Sequence, residues 1–315
     1  MIKFDKLKIV TSIDYINIIN DKSFTANIRD NHLLYYKYQQ ETPYNLMIMK
    51  NYQHNELILE FTGKILLDKY SSLINLNTIR ECLQEINRLG ICYLDIDSIL
   101  SYGEVTKCDV TKDITYHKIE DIINIIKQNI SNYEKWITKA YLKEGLVVEN
   151  VVKTPRYKKR LSIYDKGKEM LSSNNKYFLN MLKNKEQLLA WFKGKIRFEL
   201  NIGTKEGIRQ LLNVPNNNLQ TVLASKTNPI LTVFDEAISD GSGQQRKPME
   251  LKDYEHILLL KECGYNMKAV SAKIKTLISP STSLNRTLKV YRNLYSQIQN
   301  DPVTGLDIRD MIARE

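Results

Sequence analysis

Lys195-Ile196-Arg197-Phe198-Glu199-Leu200-Asn201-Ile202 alternates without a break between apolar and polar side chains. A period of two places Ile196, Phe198, Leu200 and Ile202 on one face of a strand and Arg197, Glu199 and Asn201 on the other. Glu56-Leu57-Ile58-Leu59-Glu60-Phe61-Thr62 repeats the pattern, with Leu57, Leu59 and Phe61 opposed to Glu56, Ile58, Glu60 and Thr62. In 105–111, Asp109 shares its face with Lys107 and Thr111. In 161–164, Leu161 and Ile163 go to the core while Ser162 and Tyr164 take the polar side. Four strands are thus expected to present Glu60, Asp109, Glu199 and Tyr164 on one sheet surface.

Working outward, 7–11, 33–39 and 46–49 read as further strands. Segment 77–89 reads as a helix, with Ile79, Leu83, Ile86 and Leu89 on one stripe and Gly90 at its stop. Segment 117–130 is helical by the spacing of Ile119, Ile122, Ile123 and Ile126. Segments 145–152 and 159–164 make a hairpin across Thr154-Pro155, and a lysine-rich helix follows. After Gly203 the pattern turns helical, over 205–213 and again over 218–225. The Gly- and Ser-rich run 239–248 is the most loop-like of the chain and the best domain boundary. Beyond it, 251–263 and 267–277, parted by Gly264-Tyr265-Asn266, outline a helix–turn–helix. The expected fold is α+β: a central, mostly antiparallel sheet with flanking helices, followed by a helical C-terminal unit. Its divisions are 1–205, a helical extension over 206–240, and a C-terminal domain over 248–315 that a helix–turn–helix would make DNA-binding.

A chain of 315 residues is long enough for one large domain or two ordinary ones. An apolar share of 43% and a charged share of 26% are those of a globular protein, so disorder is not expected. Against 36 Asp and Glu stand 46 Lys and Arg, a net charge of +10 that favours a polyanionic partner. No apolar run approaches the ~18 residues of a spanning helix, and no signal-peptide core follows Met1. Cys82, Cys92, Cys108 and Cys263 sit in apolar segments without Cys-x-x-Cys spacing, which reads as buried thiols in a reducing cytoplasm.

Chemistry concentrates around Arg160-Leu161-Ser162-Ile163-Tyr164-Asp165-Lys166-Gly167-Lys168-Glu169, a tyrosine strand that runs straight into a lysine-rich helix start. Tyrosine, carboxylates and a surplus of cations are the parts for metal-assisted cleavage of a DNA phosphodiester. Asp109, Glu199 and Glu60 supply the oxygen ligands that Mg²⁺ or Mn²⁺ prefers. Such an ion neutralises phosphate charge and polarises the scissile bond. A phenol with pKa near ~10 needs help to attack, and Lys166 or the metal would stabilise its phenolate. Arg156, Lys158, Lys159 and Arg160, just ahead of the tyrosine, suit a phosphate clamp, joined by Lys107 and Arg197 beside the acids. Zinc ligation is not expected, because His32, His54, His117 and His256 lie far apart and no cysteine clusters with them. Phosphate-loop and Gly-x-Ser-x-Gly motifs do not occur.

In their order, the segments 105–111, 160–169 and 195–202 resemble the gene II/X family of phage and plasmid replication initiators. That family is similar in layout to the Rep_trans initiators of rolling-circle plasmids. The resemblance spans roughly residues 50 to 215. It implies a nickase that cuts one strand at a replication origin, in a single-stranded or hairpin region, and starts rolling-circle replication. By the same resemblance Tyr164 is the nucleophile that becomes joined to the 5′-phosphate, Lys166 the lysine two residues on, and Asp109 and Glu199 metal ligands. Glu60 matches an acidic strand residue more loosely. Host helicase and polymerase would be partners, a homodimer one admissible assembly, and no membrane is involved. Many such nickases hold their metal with a His-hydrophobic-His pair, which this chain lacks, so an acidic cluster is expected instead. A mobilisation relaxase with the same chemistry and a non-catalytic DNA-binding regulator are the alternatives.

Overall fold

Alternation makes strands, and in a computed structural model they assemble largely as their apolar faces dictate. The structure describes residues 2–314 apart from 117, 133, 143, 155–157, 239–250, 264–265, 278–283 and 301–304. The strands are β1 (Phe4–Ser12), β2 (Ile16–Ile18), β3 (Thr25–Arg29), β4 (His32–Gln40), β5 (Leu46–Asn51), β6 (Glu56–Thr62), β7 (Cys92–Leu94), β8 (Glu104–Thr115), β9 (Trp136–Tyr141), β10 (Gly145–Asn150), β11 (Arg160–Asp165) and β12 (Lys195–Ile202). Among them run α1 (Ile79–Arg88), α2 (Ile96–Tyr102), α3 (Ile119–Gln128), α4 (Lys166–Met170), α5 (Lys176–Met181) and α6 (Lys185–Phe192). After β12 come α7 (Lys205–Leu212), α8 (Leu219–Leu223), α9 (Pro229–Ala237), α10 (Leu251–Glu262), α11 (Met267–Leu277), α12 (Leu284–Asn300) and α13 (Gly305–Ala313).

Ten strands form one antiparallel sheet in the order β3-β4-β5-β6-β1-β8-β12-β11-β10-β9, and β2 pairs with β7 apart from it. The order reads alike from both ends. Each half begins with a central strand (β1 or β8), crosses to an edge (β3 or β9) and meanders back beside its first strand (β6 or β12). The halves meet antiparallel at β1 and β8, so a pseudo-two-fold axis normal to the sheet relates their topologies.

One face of the sheet is apolar. Leu7, Ile9, Phe61, Val110, Phe198 and Leu161 are all buried there, each contributing roughly 1.5–3 kcal/mol when fully removed from water. Phe198 meets Phe234 of α9 edge to face, which places α9 on this side. The opposite face is polar and is roofed at one end by a separate apolar cluster. There Tyr70, from the 3-10 segment Gly63–Ser72, packs with Met170, Phe178, Leu188 and Phe192 of α4, α5 and α6.

The chain divides into two compact units, one comprising Met1–Asp240 with Gly305–Glu315 and the other Gly241–Thr304. The expected run 239–248 lies outside the described residues. The second boundary differs from the expectation of 248–315, because α13 belongs to the first unit. Its Ile308 and Ile312 are buried, Arg309 makes a bidentate pair with Asp235 of α9, and Asn228 donates to the Ile312 carbonyl. A nine-residue helix carries little boundary information in its sequence, so its return to the first unit was not legible there.

Candidate active site on the polar face of the sheet

Register fixes what shares a face, because directly paired antiparallel residues point to the same side. Tyr164 stands opposite Arg197, Ser162 opposite Glu199, and Glu199 opposite Thr111. Asn201 stands opposite Asp109, Asp109 opposite Lys6, Lys8 opposite Lys107, and Lys8 opposite Glu60. The four expected side chains therefore lie on one polar surface that crosses the seam between the halves.

The closest approach among them is a hydrogen bond. Tyr164 Oη donates to Glu199 Oε2 at 2.8 Å. Tyr164 is 5% exposed and its ring leans on that of Tyr141, 5.5 Å between centroids. Burial, then the negative charge of Glu199, pushes the Tyr164 phenol well above the usual tyrosine range, Arg197 opposing. Burial also raises Glu199, to about 7, helped by the charges of Asp5 and Asp109. Asp109 is raised chiefly by burial and then by Asp5, although Asn201 donates a hydrogen bond to its carboxylate. A phenol that resists ionisation is thus bonded to a carboxylate poised near neutrality.

Beneath the roof lies a second, fully buried network. Arg197 is 0% exposed. Its Nε and second amino nitrogen bind both oxygens of Asp113 at 2.7 and 2.9 Å, and its other nitrogen reaches Asp5 Oδ1 at 3.0 Å. Tyr70 Oη donates to the same Asp5 oxygen at 2.8 Å. Asp5 reaches this face because it is the extra residue of a bulge: Phe4 pairs with Val110 and Lys6 with Asp109, leaving Asp5 unpaired in between. Burial would raise Asp5, but Arg197 and Lys166 hold it below the usual carboxylate range.

Several expected roles change. Arg197 cannot contact DNA, because two carboxylates and the roof enclose it. Lys166 is 2% exposed and its ammonium is committed to Glu169 at 2.5 Å, 5.9 Å from the Tyr164 ring centroid and 5.2 Å from that of Tyr70. It meets Tyr164 only over the ring face and is enclosed away from any phosphate. Burial opposes its charge, yet Tyr70, Glu169 and Asp5 keep its pKa above the ordinary lysine value. Glu60 is held by Lys6 at 2.5 Å, and this outweighs the burial that would raise its pKa. With a lysine in between, the structure does not bring Glu60 to Asp109 and Glu199. Among the described residues no three His, Cys, Asp or Glu side chains group to hold a metal ion.

Of the expected clamp, Arg156 and the rival Tyr157 lie outside the described residues. Lys158 pairs with Glu149 at 3.1 Å and Lys159 with Glu236 at 2.6 Å, while Arg160 is exposed beside the Tyr141 ring. Lys107, half-buried, faces Lys8 across the β1–β8 pair. Sequence reading missed Asp113, Asp5, Tyr70 and Glu169. Asp113 continues the alternation of Asp109 and Thr111 and was open to discovery. The bulge that turns Asp5 inward has no such signal.

Asp109 and Glu199 remain as oxygen donors of the kind a hard divalent cation takes. Mg²⁺ on phosphate substrates commonly uses one or two protein carboxylates, with waters and phosphate oxygens completing its shell. The pair fits that chemistry, since each is raised by burial and by its negative neighbours, a charge excess that a cation would offset. No protein-family model, curated protein or solved structure matches this chain. No helix among the described residues is long and apolar enough to cross a membrane.

Proposed function

We propose that the protein is a DNA-nicking enzyme of the replication-initiator kind, with Tyr164 as nucleophile and Glu199 as the base that takes its proton. The observation that carries this reading is the 2.8 Å hydrogen bond from Tyr164 Oη to a carboxylate raised to about 7. A general base serves best when its pKa lies near the working pH. In the step, the Tyr164 oxygen forms a bond to phosphorus while the bond from phosphorus to the 3′ oxygen breaks. Glu199 accepts the phenolic proton, and solvent protonates the departing 3′ oxygen. The tyrosyl ester keeps the phosphodiester's energy, so that a 3′-hydroxyl can later reseal the strand. A divalent cation, held by Asp109 and Glu199 with Asn201 beside them, would supply charge neutralisation at the phosphate. The free 3′ end would prime a host polymerase in the cytoplasm, with a host helicase opening the duplex.

The test uses supercoiled plasmid carrying the DNA that flanks the gene, with Mg²⁺ or Mn²⁺, followed by protease treatment and a gel. Nicked circles and a covalent protein–DNA species are expected from wild type. Tyr164→Phe keeps the ring, so folding and DNA binding survive while nicking and adduct vanish. Nicking by Tyr164→Phe, or an adduct that maps to Tyr157, overturns the assignment. The near-complete burial of Tyr164 favours a second reading, a DNA-binding regulator without catalysis. Binding of that plasmid with no nicking by wild type selects it.

A further inference from the structure

The helical unit Gly241–Thr304, taken by itself, has its own core. Leu260 of α10, Val270 and Ile274 of α11, and Leu288, Tyr291 and Leu294 of α12 are buried together. The third helix, α12, was absent from the outline read in the sequence. Its buried residues occupy one side. Asn285, Lys289, Arg292 and Asn293 are exposed on the other, at i, i+4, i+7 and i+8, the spacing of one continuous helix face. From Cys263 to Asn300 the chain carries Lys268, Lys273, Lys275, Arg286, Lys289 and Arg292 and not one Asp or Glu. Lys273 pairs with Glu262 on α10. Lys268, Lys275 and Arg292 line a groove between α11 and α12.

A face that mixes amide and cationic side chains matches the edges of bases in the DNA major groove, where Asn pairs with adenine and Arg or Lys with guanine. Val290, 40% exposed beside it, suits a thymine methyl. The lysines on the neighbouring helix suit the phosphates that flank the groove. We propose that α11 and α12 together bind duplex DNA, with α12 entering the major groove and the α11 lysines at the flanking phosphates. This moves the DNA-contacting pair one helix along from the α10–α11 outline. It also stands without the nicking reading, since nothing in it needs Tyr164.

The experiment keeps the two apart by using the full chain with Tyr164→Phe throughout, so that cleavage plays no part. Random-sequence duplex DNA is selected for binding and the bound pool sequenced. An enriched motif is expected. Lys289→Gln with Arg292→Gln should lose that motif and lower the salt slope of binding by about one to two units. Lys252→Gln, an exposed charge on α10, should leave both as they were. Asn293→Ala, which removes no charge, should change the enriched sequence at an unchanged salt slope, and circular dichroism confirms that each variant folds. No enrichment with the parent chain overturns the proposal. So does a double variant that keeps the motif and slope, and so does tighter binding to single-stranded DNA or RNA of equal length than to duplex.

Discussion

Arg197 shows how much one buried side chain can hold. Removing one member of a buried charge cluster typically costs about 3–5 kcal/mol, because the partners stay buried without compensation. Arg197→Met, which leaves Asp113 and Asp5 facing each other, is therefore expected to destabilise the protein by that amount in urea melts, and Arg197→Lys by less. Glu199 gives a pH-dependent counterpart. Its carboxyl is raised from an ordinary 4.5 to about 7 in the folded protein. The folded state thus holds this proton more tightly, which stabilises it fully below the unfolded value and is lost as pH rises through about 7. Glu199→Gln mimics the protonated form, so its melting temperature should rise relative to wild type between pH ~5 and pH ~8. An equal gap at both ends would show that Glu199 does not ionise in this range. In nicking assays a cation bound beside Glu199 lowers its pKa, so wild type should gain activity with rising pH along a limb below that metal-free value, and Glu199→Gln should lose that limb with most of the rate. At this scale the sequence was partly readable. Alternation put Glu199 and Tyr164 on one face, but no pattern announced that Arg197, on that same face, would be sealed under a roof that joins α4, α5 and α6 to Tyr70, more than a hundred residues away.

Elements were easier to read where one face is greasy and the other polar. β6 and β12 run over the very residues whose alternation is strict, and β10 with β11 forms the expected hairpin pair. β9, Trp136-Ile137-Thr138-Lys139-Ala140-Tyr141, went unread because an edge strand has one neighbour only and no clean alternation. Two elements meet tightly beside Tyr164. A Cβ on Gly145 of β10 would come within 2.5 Å of the Tyr141 carbonyl oxygen and 2.9 Å of that of Ile163, with Tyr164 Cβ at 3.2 Å. Gly145→Ala therefore has to spread β9, β10 and β11 apart, at about 1–3 kcal/mol, and should reduce nicking by shifting Tyr164 from Glu199. Unchanged stability and rate would show that the strands give way freely. Asp165 ends β11 and caps α4, its Oδ1 accepting from the Lys168 amide at 2.9 Å. Asp165→Ala should cost about 1 kcal/mol and Asp165→Asn much less, which chemical denaturation can resolve.

For the molecule as a whole, the helical unit is an insertion between α9 and α13 and not a tail. Replacing 241–304 by a Gly/Ser linker should leave the first unit folded. Ending the chain at residue 240 strips α13 from Asp235 and Asn228, uncovers the partners of Ile308 and Ile312, and should melt several degrees lower. Equal melting of the two would assign α13 no part in the fold. The α+β class and the large antiparallel sheet were legible from strand alternation, whereas the doubling of its topology was not, since the halves share an order of strands and not a sequence. That doubling has a consequence for direction. A scaffold with a two-fold axis treats both senses of a DNA strand alike, and it offers a place for a nucleophile on either side of the β1–β8 seam. Only one place is furnished: Ser162 of β11 stands opposite Glu199 with Tyr164 two residues on, whereas Met47 of β5 stands opposite Glu60, itself tied to Lys6. The symmetry is broken by these side chains, by the β1 bulge and by the roof at one end, and under the nicking proposal that break is what lets the molecule tell one strand's polarity from the other's.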